Sequence, residues 1–355
     1  MTFLSKFLTP FPQYIHLERG IVRVAGTDAA RLLQGLTTND VYRLEPGQAQ
    51  YSSFLNHKGR VLFEFFVVRE GEGSFLLECQ RPYAEDLYVH LLTYKLKAQV
   101  EMSIASEKYK VYCTTKDVNV KIGNGISYAD RRCDWGLTRH VVPADVKVEW
   151  EGKEGERSNY RALRCVYGVP EGMREVKWFE AVPHEYNLDL MGGISFNKGC
   201  YLGQELVSRV HHQGVVRKRV LPLRLHDPMQ FLEMGEMGDV GAADEGIAWE
   251  HDAVHAAHGL FDMGDTGMAT RIRTDKDEII ERGTRYDVRM RTKAGTLVRL
   301  QGNIALALMR LDVMKSFPLI MFNDLESGKH FTGVPYIPSW WPKNVLDNVE
   351  PFSGE

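Results

Sequence analysis

The chain has 355 residues, of which 44% are apolar and 26% charged, a balance typical of a globular protein with two or three domains. Its 44 basic and 47 acidic residues give a formal net charge of −3, which excludes a generally basic nucleic-acid-binding protein. No stretch approaches the ~18 to 20 consecutive apolar residues of a membrane helix. We therefore expect neither nucleic acid nor a membrane as partner. The five cysteines are odd in number and include no C-x-x-C pair, which disfavours a disulfide framework and fits a reducing compartment.

The first 115 residues alternate between predicted strands and single helices. The helices are predicted from Thr27 or Asp28 to about Leu36, and over Tyr83–Tyr94. The predicted strands are Tyr14–Leu17, Gly20–Val24, Gln48–Leu55, Arg60–Val68, Ser74–Cys79, Ala98–Ile104 and Tyr109–Thr114. The first two strands are predicted to form a hairpin, and the next two another. Strand clusters with short connections favour an α+β fold over a doubly wound sheet.

The residue composition of the rest of the chain changes twice. Residues 116–160 are polar and turn-rich, and we assign no helix or strand there until Asn159–Tyr167, which has a helical pattern. From Gly214 onwards apolar residues alternate with basic ones, and short strands follow near residues 268–274, 285–291, 296–300 and 303–311. This pattern predicts a small β-barrel. Met234–Gly246, rich in Gly, Met and acidic residues, is predicted to be a flexible insertion.

The most distinctive segment is Lys198–Arg209, with the sequence KGCYLGQELVSR. Cys200 lies between Gly199 and Gly203 and two residues after Lys198, just before the predicted start of a helix at Gln204. A cysteine near a helix N-terminus and a cation has a lowered pKa, and its thiolate is the form that binds metals or attacks substrates. A buried, inert cysteine in a tight turn fits the pattern about as well.

This segment resembles the signature of the YgfZ-type folate-binding family, which is related to the T-protein (aminomethyltransferase) of the glycine cleavage system. The residues that carry the match are Lys198, Gly199, Cys200, Tyr201, Gly203, Gln204, Glu205 and Arg209. The resemblance extends over residues 20–100, 160–226 and 296–342, and includes LLQGLTTND at 32–40 and PSWWP at 338–342. It is closest to the mitochondrial iron–sulfur assembly branch of the family.

The resemblance implies an α+β, T-protein-like folate-binding fold. Two intertwined α+β subdomains would surround a central cavity, and a C-terminal β-barrel would follow. The implied boundaries are 1–47 with 116–213 for the first subdomain, 48–115 for an inserted second subdomain, and 214–355 for the barrel. Residues 227–290 form an insertion within the barrel that resembles nothing we can place.

The resemblance also implies a role late in the maturation of 4Fe–4S clusters on client proteins. The implied location is the mitochondrial matrix, with the bacterial cytoplasm as the alternative. The implied partner is an A-type iron–sulfur carrier, with Cys200 as ligand of a cluster that the two proteins share transiently. An iron–sulfur cluster needs about four protein ligands, so a single thiolate requires a partner that supplies the others.

Tetrahydrofolate is the second implied ligand. Its candidate contacts, expected to border the central cavity, are Tyr51, Asn56, Glu64, Lys198, Gln204 and Glu205. Here Tyr51 and Asn56 come from the first predicted hairpin after residue 47, and the last three from the cysteine motif. A ligand cavity needs a few convergent polar groups in a largely apolar lining, and these residues would supply them.

The family's aminomethyltransferases place two adjacent aspartates where this chain has Phe63 and Glu64. Successive strand residues point to opposite faces, so at most one carboxylate would reach the cavity. Those enzymes also carry an acid where Arg161–Arg164 offer none. We therefore expect an assembly factor without enzymatic activity. The alternatives are a tetrahydrofolate-dependent aminomethyltransferase or other one-carbon enzyme, and a folate-binding regulatory protein without a cluster role. For Glu64 we favour a solvated strand residue over a catalytic one.

Two other groups of residues are candidates for ligand binding. His251, His255 and His258 would share one face of a helix and could hold zinc or copper, but we favour an exposed polar face within a variable insertion. The basic run at Arg217–Arg219 places three charges on two faces of a strand, which is too weak a footprint for nucleic acid.

Overall fold

The computed structural model describes residues 14–115, 118–151, 154–226, 271–272, 279–281, 284–286, 294–301, 304–316, 320–323 and 330–351. They form two compact units. The N-terminal unit comprises the described residues of Pro10–Arg161 and Pro170–Gly214, and the C-terminal unit those of Ala162–Val169 and Val215–Glu355. No helix in these residues is both long and apolar enough to cross a membrane.

The N-terminal unit contains eleven described strands and four helices, one of them only in part. Its strands are β1 (Tyr14–Leu17), β2 (Arg19–Ala25), β3 (Ala49–Leu55), β4 (Val61–Gly71), β5 (Ser74–Gln80), β6 (Glu101–Ile104), β7 (Tyr109–Thr115), β8 (Val120–Lys121), β9 (Ile126–Ala129), β10 (Leu137–Pro143) and β11 (Glu149–Trp150). Its helices are α1 (Ala29–Leu36), α2 (Ala84–Lys95), the first part of α3 (Arg157–Tyr167) and α4 (Gln204–Gln213).

Two antiparallel sheets organise this unit. The larger sheet has the order β3-β4-β5-β2-β6, and the smaller β1-β7-β10-β9. One face of the larger sheet is apolar and packs under α1 and α2, with Phe65 and Val67 against Leu33, Leu87 and other buried side chains. Alternation along β4 places Glu64 and Phe66 on the opposite face. That second face is the one that carries the polar groups described below.

The predicted helices and the hairpin of β3 and β4 are confirmed, but the hairpin predicted from β1 and β2 is wrong. β1 pairs with β7 in the smaller sheet, whereas β2 pairs with β5 and β6 in the larger one. Only Glu18 separates the two strands. One residue is too short for a hairpin turn, which needs at least two, and the chain instead passes from one sheet to the other.

The region 116–160, to which no strand was assigned, contributes β8, β9, β10 and β11. β10 is a central strand of the smaller sheet, yet it carries the fully buried Arg139 and the buried His140. Burial lowers the pKa of His140 to about 4, so its imidazole is neutral, and its two nitrogens lie 2.8 Å from the hydroxyls of Thr114 and Ser127. Polar side chains buried in such networks interrupt the alternation of apolar and polar residues that would identify a strand in the sequence.

The described elements of the C-terminal unit are β12 (Lys218–His226), β13 (Arg271–Ile272), β14 (Ile279–Glu281), β15 (Thr284–Tyr286), β16 (Gly295–Gln301), β17 (Ile304–Arg310), α5 (Leu311–Ser316), β18 (Ile320–Asn323) and β19 (His330–Pro335). Six of these strands form an antiparallel sheet of order β13-β16-β17-β12-β19-β18, and β14 pairs with β15. The second part of α3 belongs here, and its last carbonyls accept hydrogen bonds from Tyr336 Oη (to Val166, 2.7 Å) and Trp340 Nε1 (to Tyr167, 2.8 Å).

The sequence-derived domain boundaries stay a prediction. The larger sheet combines β2, from before the predicted division at 47/48, with β3, β4, β5 and β6 from after it. The smaller sheet combines β7, from before the predicted division at 115/116, with β9 and β10 from after it. Most of the predicted insertion at 227–290 lies outside the described residues, as do His251, His255 and His258.

Candidate functional site

Cys200 is the exposed thiol of this protein. Cys79, Cys113 and Cys165 are buried, Cys133 is partly buried, and Cys200 is exposed. Burial raises the pKa of Cys79 to about 12 and also raises that of Cys113 and Cys133. Since the thiolate is the form that binds a metal, these thiols are poor ligands at neutral pH. Cys200 is therefore the most accessible of the five to a partner or a metal centre.

Lys198 fixes the start of the cysteine motif to the end of α1. Its Nζ donates to the carbonyl oxygens of Gln34 (2.8 Å), Thr37 (2.7 Å) and Asn39 (3.0 Å). The last carbonyl oxygens of a helix have no hydrogen-bond donor within the helix, and the ammonium of Lys198 is such a donor at the end of α1. Burial lowers the pKa of Lys198 to about 8, and its ammonium also lies 4.9 Å from the ring centroid of Tyr201. The three N–H bonds of this ammonium are thus directed at the protein's own backbone.

Two glycines let the motif pack against the turn between β3 and β4. Gly203 has a φ of +80°, and a Cβ at this position would lie 2.4 Å from the carbonyl oxygen of Asn56. Gly59 has a φ of +73°, and its Cβ would lie 2.6 Å from Cβ of Leu206 at the start of α4. A side chain is excluded at both. A Cβ at Gly199 would meet no atom within 4 Å, so the motif is open to solvent beside Cys200.

The other polar residues of the motif and its turn have local roles. Oδ1 of Asn56 accepts hydrogen bonds from the N–H groups of Lys58 (2.9 Å) and Arg60 (3.0 Å), which stabilises the turn. Oε1 of Gln204 accepts from the N–H of Tyr201 at 3.3 Å, which closes the loop at the start of α4. The side chains of Glu205 and Arg209 are exposed on α4.

A buried ionic cluster connects the two sheets of the N-terminal unit. It joins three arginines and four carboxyl side chains, namely Arg19, Arg132, Arg139, Glu64, Glu78, Asp130 and Glu171. Arg139 lies at the centre, with its nitrogens 2.5 Å from Glu78, 2.8 Å from Asp130 and 2.9 Å from Glu171. Charges taken out of water are stable only when they are paired and hydrogen-bonded, and this arrangement provides both.

Two of the predicted folate contacts, Tyr51 and Glu64, lie inside this cluster. Oε1 of Glu64 accepts a hydrogen bond from the N–H of Gly172 at 2.9 Å, while Oε2 has no hydrogen-bond partner. The hydroxyl of Tyr51 faces Glu64 without reaching hydrogen-bond geometry. Their exposed fractions are only 4% for Tyr51 and 2% for Glu64. An unpaired buried polar atom is uncommon in folded proteins, which marks this pair as a candidate for ligand contact.

The interpretation of Glu64 as a solvated strand residue is therefore wrong. Burial raises the pKa of its carboxyl, and the nearby Arg19 offsets only part of that effect. In contrast, Arg132 and Arg139 hold the pKa of Asp130 below its usual value, although burial alone would raise it.

Sequence reasoning missed the rest of the cluster. Glu78 lies in the apolar run FLLECQ of β5, and Arg139 in LTRHVVP of β10. The apolar run around Glu78 is a signal that could have identified it, because a charged residue is seldom fully buried unless it is paired. Thr138 and His140 beside Arg139 remove that signal from β10.

The six predicted folate contacts thus fall into three groups. Tyr51 and Glu64 are buried together in the ionic cluster. Asn56, Lys198 and Gln204 are hydrogen-bonded within the turn, to the end of α1 and within the motif loop. Glu205 is exposed. Among the described residues, no three His, Cys, Asp or Glu side chains are grouped so that they could hold a metal ion.

Comparison with known proteins agrees with this architecture. Residues 18–112 match the GCVT N-terminal domain, and residues 274–343 match the CAF17 C-terminal beta-barrel domain. The structure is similar to the crystal structure of the glycine cleavage system aminomethyltransferase T from Bartonella henselae, with a TM-score of 0.56, 12% identity, and coverage of 96% of this chain and 91% of that chain. The predicted T-protein-like α+β fold with a C-terminal β-barrel is confirmed.

Two named relatives identify the family to which the chain belongs. A protein of Pyricularia oryzae named iron–sulfur cluster assembly factor IBA57 homolog, mitochondrial, is 32% identical over 313 residues, which are 85% of this chain and 72% of the relative. The human iron–sulfur cluster assembly factor IBA57, mitochondrial, is 36% identical over 59% of this chain and 65% of its own length. The predicted mitochondrial location is confirmed by these relatives. On the extent of these matches, the chain belongs to the IBA57 family of mitochondrial iron–sulfur cluster assembly factors.

Proposed function

We propose that this protein acts late in the assembly of 4Fe–4S clusters, where it supplies Cys200 as one thiolate ligand of a cluster shared with an A-type carrier. The single observation that carries the proposal is the exposure of Cys200 on a fixed loop, while the other four thiols are buried or partly buried. The names of the relatives supply the biological context. We further propose that 4Fe–4S client proteins receive the cluster.

The loop geometry supports a ligand role. Lys198 and Gly203 fix the two ends of the loop to α1 and to the β3–β4 turn, while Gly199 leaves open space beside the cysteine. A ligand held by rigid elements loses little conformational entropy when a cluster binds. One thiolate cannot hold an iron–sulfur cluster, so the remaining ligands are assigned to the carrier.

The test mixes the protein with a reconstituted A-type carrier and measures visible absorbance of the cluster in the co-eluting complex. Cys200→Ser should melt like the wild type and fail to form the coloured complex, because serine is a poor iron ligand at neutral pH. Cys133→Ser is the matched control and should form it. A Cys200→Ser protein that still assembles the complex would contradict the proposal, and loss of the complex only in Cys133→Ser would assign the ligand to that thiol.

Tetrahydrofolate binding is a second part of the proposal, and it rests on Tyr51 and Glu64. A pterin ring carries adjacent hydrogen-bond donors and acceptors, and the Tyr51 hydroxyl and Oε2 of Glu64 are buried atoms that lack such partners. These residues fit the group, and they would bind and orient it. The remaining polar candidates are engaged locally or exposed, so the folate site proposed here is smaller than the one expected from the sequence.

Calorimetric titration with tetrahydrofolate tests this part. Tyr51→Phe should weaken binding by about tenfold, which corresponds to one lost hydrogen bond of about 1.4 kcal/mol. Tyr42→Phe, at an exposed tyrosine, is the control and should bind as the wild type does. If the wild type shows no saturable binding at high micromolar tetrahydrofolate, folate is excluded as a ligand of this protein.

Aminomethyl transfer is not part of the proposal. Phe63 packs into the apolar core under α1 and α2, so Glu64 stands without the second carboxylate of the transferases. A coupled assay with the other glycine-cleavage components should give background activity. Robust turnover that Glu64→Gln abolishes would instead make this protein an enzyme, with Glu64 as its acid–base residue.

A further inference from the structure

The outer face of α2 carries an apolar stripe that no described part of the chain covers. Val89 and Leu92 on the helix and Leu96 just after it follow a spacing of three and four residues, so they lie on one side, and they are 53%, 41% and 87% exposed. The helix already buries a different side, with Leu87 and Leu91 in the core. A second apolar stripe on a surface helix is typical of a helix that packs against a partner.

The backbone holds Leu96 outwards. This residue has a φ of +44°, a backbone conformation that residues other than glycine rarely adopt. The N–H of Ala98 donates to the carbonyl of Lys95 at 2.8 Å and closes the turn. A strained residue with an exposed leucine side chain persists only when the surrounding structure imposes it.

α2 also contacts a strand with a free edge. β6 is the last strand of the larger sheet and pairs only with β2 among the described residues. The N–H of Ala105 donates to the carbonyl of Ile21 at 2.8 Å. Because backbone groups alternate along an antiparallel strand, Met102 and Ile104 direct their N–H and C=O groups away from β2. Four backbone groups are therefore available on the outer edge of β6.

This edge can pair with itself. If two copies meet antiparallel across a two-fold axis at Ser103, Met102 of each copy lies opposite Ile104 of the other. Both residues direct their backbone groups outwards, so the two pairs exchange four hydrogen bonds. The side chain of Ile104, which is 44% exposed, lies on the same face as α2 because Met102 packs into the core under that helix.

The helices fit the same two-fold axis. α2 contacts both β2 and β6, and an axis midway between these two strands lies half a strand spacing inside β6. A two-fold axis half a spacing outside β6 then separates the two α2 helices by about two spacings, or roughly 9.6 Å for strands ~4.8 Å apart. Packed helices lie about 8–10 Å apart, so the exposed stripes of the two copies would come into contact.

The charges on α2 are also self-complementary. Glu85 and Asp86 lie in its first turn, and Lys95 and Lys97 lie at its end and just beyond it. No ion pair joins any of the four to another described residue. In an antiparallel pair of α2 helices, the acidic end of each copy lies against the basic end of the other.

From these features we infer that the protein forms a symmetric dimer, in which β6 continues the sheet into a second copy and α2 packs against its equivalent. One helix face and a four-residue strand form a small surface compared with the ~800 Å² per partner of a standard interface. We therefore expect a concentration-dependent dimer rather than a permanent one. This inference is independent of the role of Cys200.

Sedimentation equilibrium of the full-length chain from about 1 to 300 μM tests the inference. The wild type should fit a monomer–dimer equilibrium. Ile104→Pro removes an outward N–H that β2 does not use, and should raise the dimer Kd by about tenfold or more. Tyr42→Ser, at an exposed apolar residue outside this face, is the control and should leave Kd unchanged.

Charge reversal separates a contact between copies from a folding defect. E85K/D86K and K95E/K97E should each dimerise at least about tenfold more weakly, because like charges then face each other. An equimolar mixture of the two variants should regain wild-type association, since opposite charges meet again at both ends. A wild type that stays monomeric throughout, a dimer indifferent to these changes, or a mixture without recovery would overturn the inference.

Discussion

Replacing Lys198 with Met tests whether the motif lysine is a structural residue. Methionine keeps most of the apolar stem but removes the ammonium that donates to the carbonyls of Gln34, Thr37 and Asn39. If these contacts hold the cysteine loop to α1, the variant should be less stable and its loop less well fixed. If Lys198 instead contacts a ligand, stability should hardly change.

The expected magnitude follows from the contacts. A hydrogen bond contributes about 0.5–1.5 kcal/mol net, so three give about 1.5–4.5 kcal/mol. Because burial lowers the pKa of Lys198 to about 8, the charge of the ammonium adds nothing further to this gain. The carbonyls left without partners add to the loss. We expect Lys198→Met to lower the free energy of unfolding by about 2–4 kcal/mol.

The pH dependence gives a second readout. The pKa of Lys198 falls from 10.5 in the unfolded chain to about 8 in the folded protein. Between these values the unfolded chain binds more protons, so this lysine makes the free energy of unfolding rise with pH. The rise should occur in the wild type between about pH 8 and 10.5 and should be absent from Lys198→Met.

Urea unfolding of the full chain at several pH values measures both effects. Lys177→Met is the matched control, since among the described residues the Lys177 side chain forms only a 4.0 Å ion pair with the exposed Glu180. Exposed ion pairs of this kind contribute little, so the control should unfold within about 0.5 kcal/mol of the wild type. If Lys198→Met behaves like the control and keeps the rise above pH 8, the structural role assigned to Lys198 is refuted.

Three further predictions concern the site. Native protein treated with a maleimide should label rapidly at one thiol, Cys200, and intact mass after Cys200→Ser should show no rapid label; rapid labelling at a second cysteine would contradict the burial pattern. Gly203→Ala should lower stability by about 2 kcal/mol or more, because its Cβ would lie 2.4 Å from the Asn56 carbonyl oxygen at a φ of +80°, whereas Gly199→Ala should melt like the wild type; equal melting of both would refute the packing argument. The pKa of Glu64 is raised on folding, so its contribution to stability is present below its unfolded pKa and is lost as pH rises through its folded pKa. Glu64→Gln should therefore remove this decline when urea unfolding is measured as a function of pH. An unchanged profile would show that Glu64 is ionised in the folded protein.

The sequence alone determined the elements whose signals are local. The hairpin of β3 and β4, the helices α1 and α2 and the start of α4 after the cysteine motif all lie where periodicity and turn residues predicted them. The family resemblance, which depends on short motifs, predicted the fold that the comparisons confirm. The same local reasoning singled out Cys200 because of its neighbours in the chain.

The tertiary structure decided the partners of charged residues. Arg139 pairs with Glu78, which is 61 positions away, and Lys198 caps a helix 161 positions away at Thr37. Local patterns predict exposure for a charged residue, because burial of an unpaired charge is too costly; that cost disappears only when a partner from a distant segment arrives. For this reason the sequence indicated a solvated Glu64 and no strand at β10, and only the folded chain shows that both lie within its buried interior.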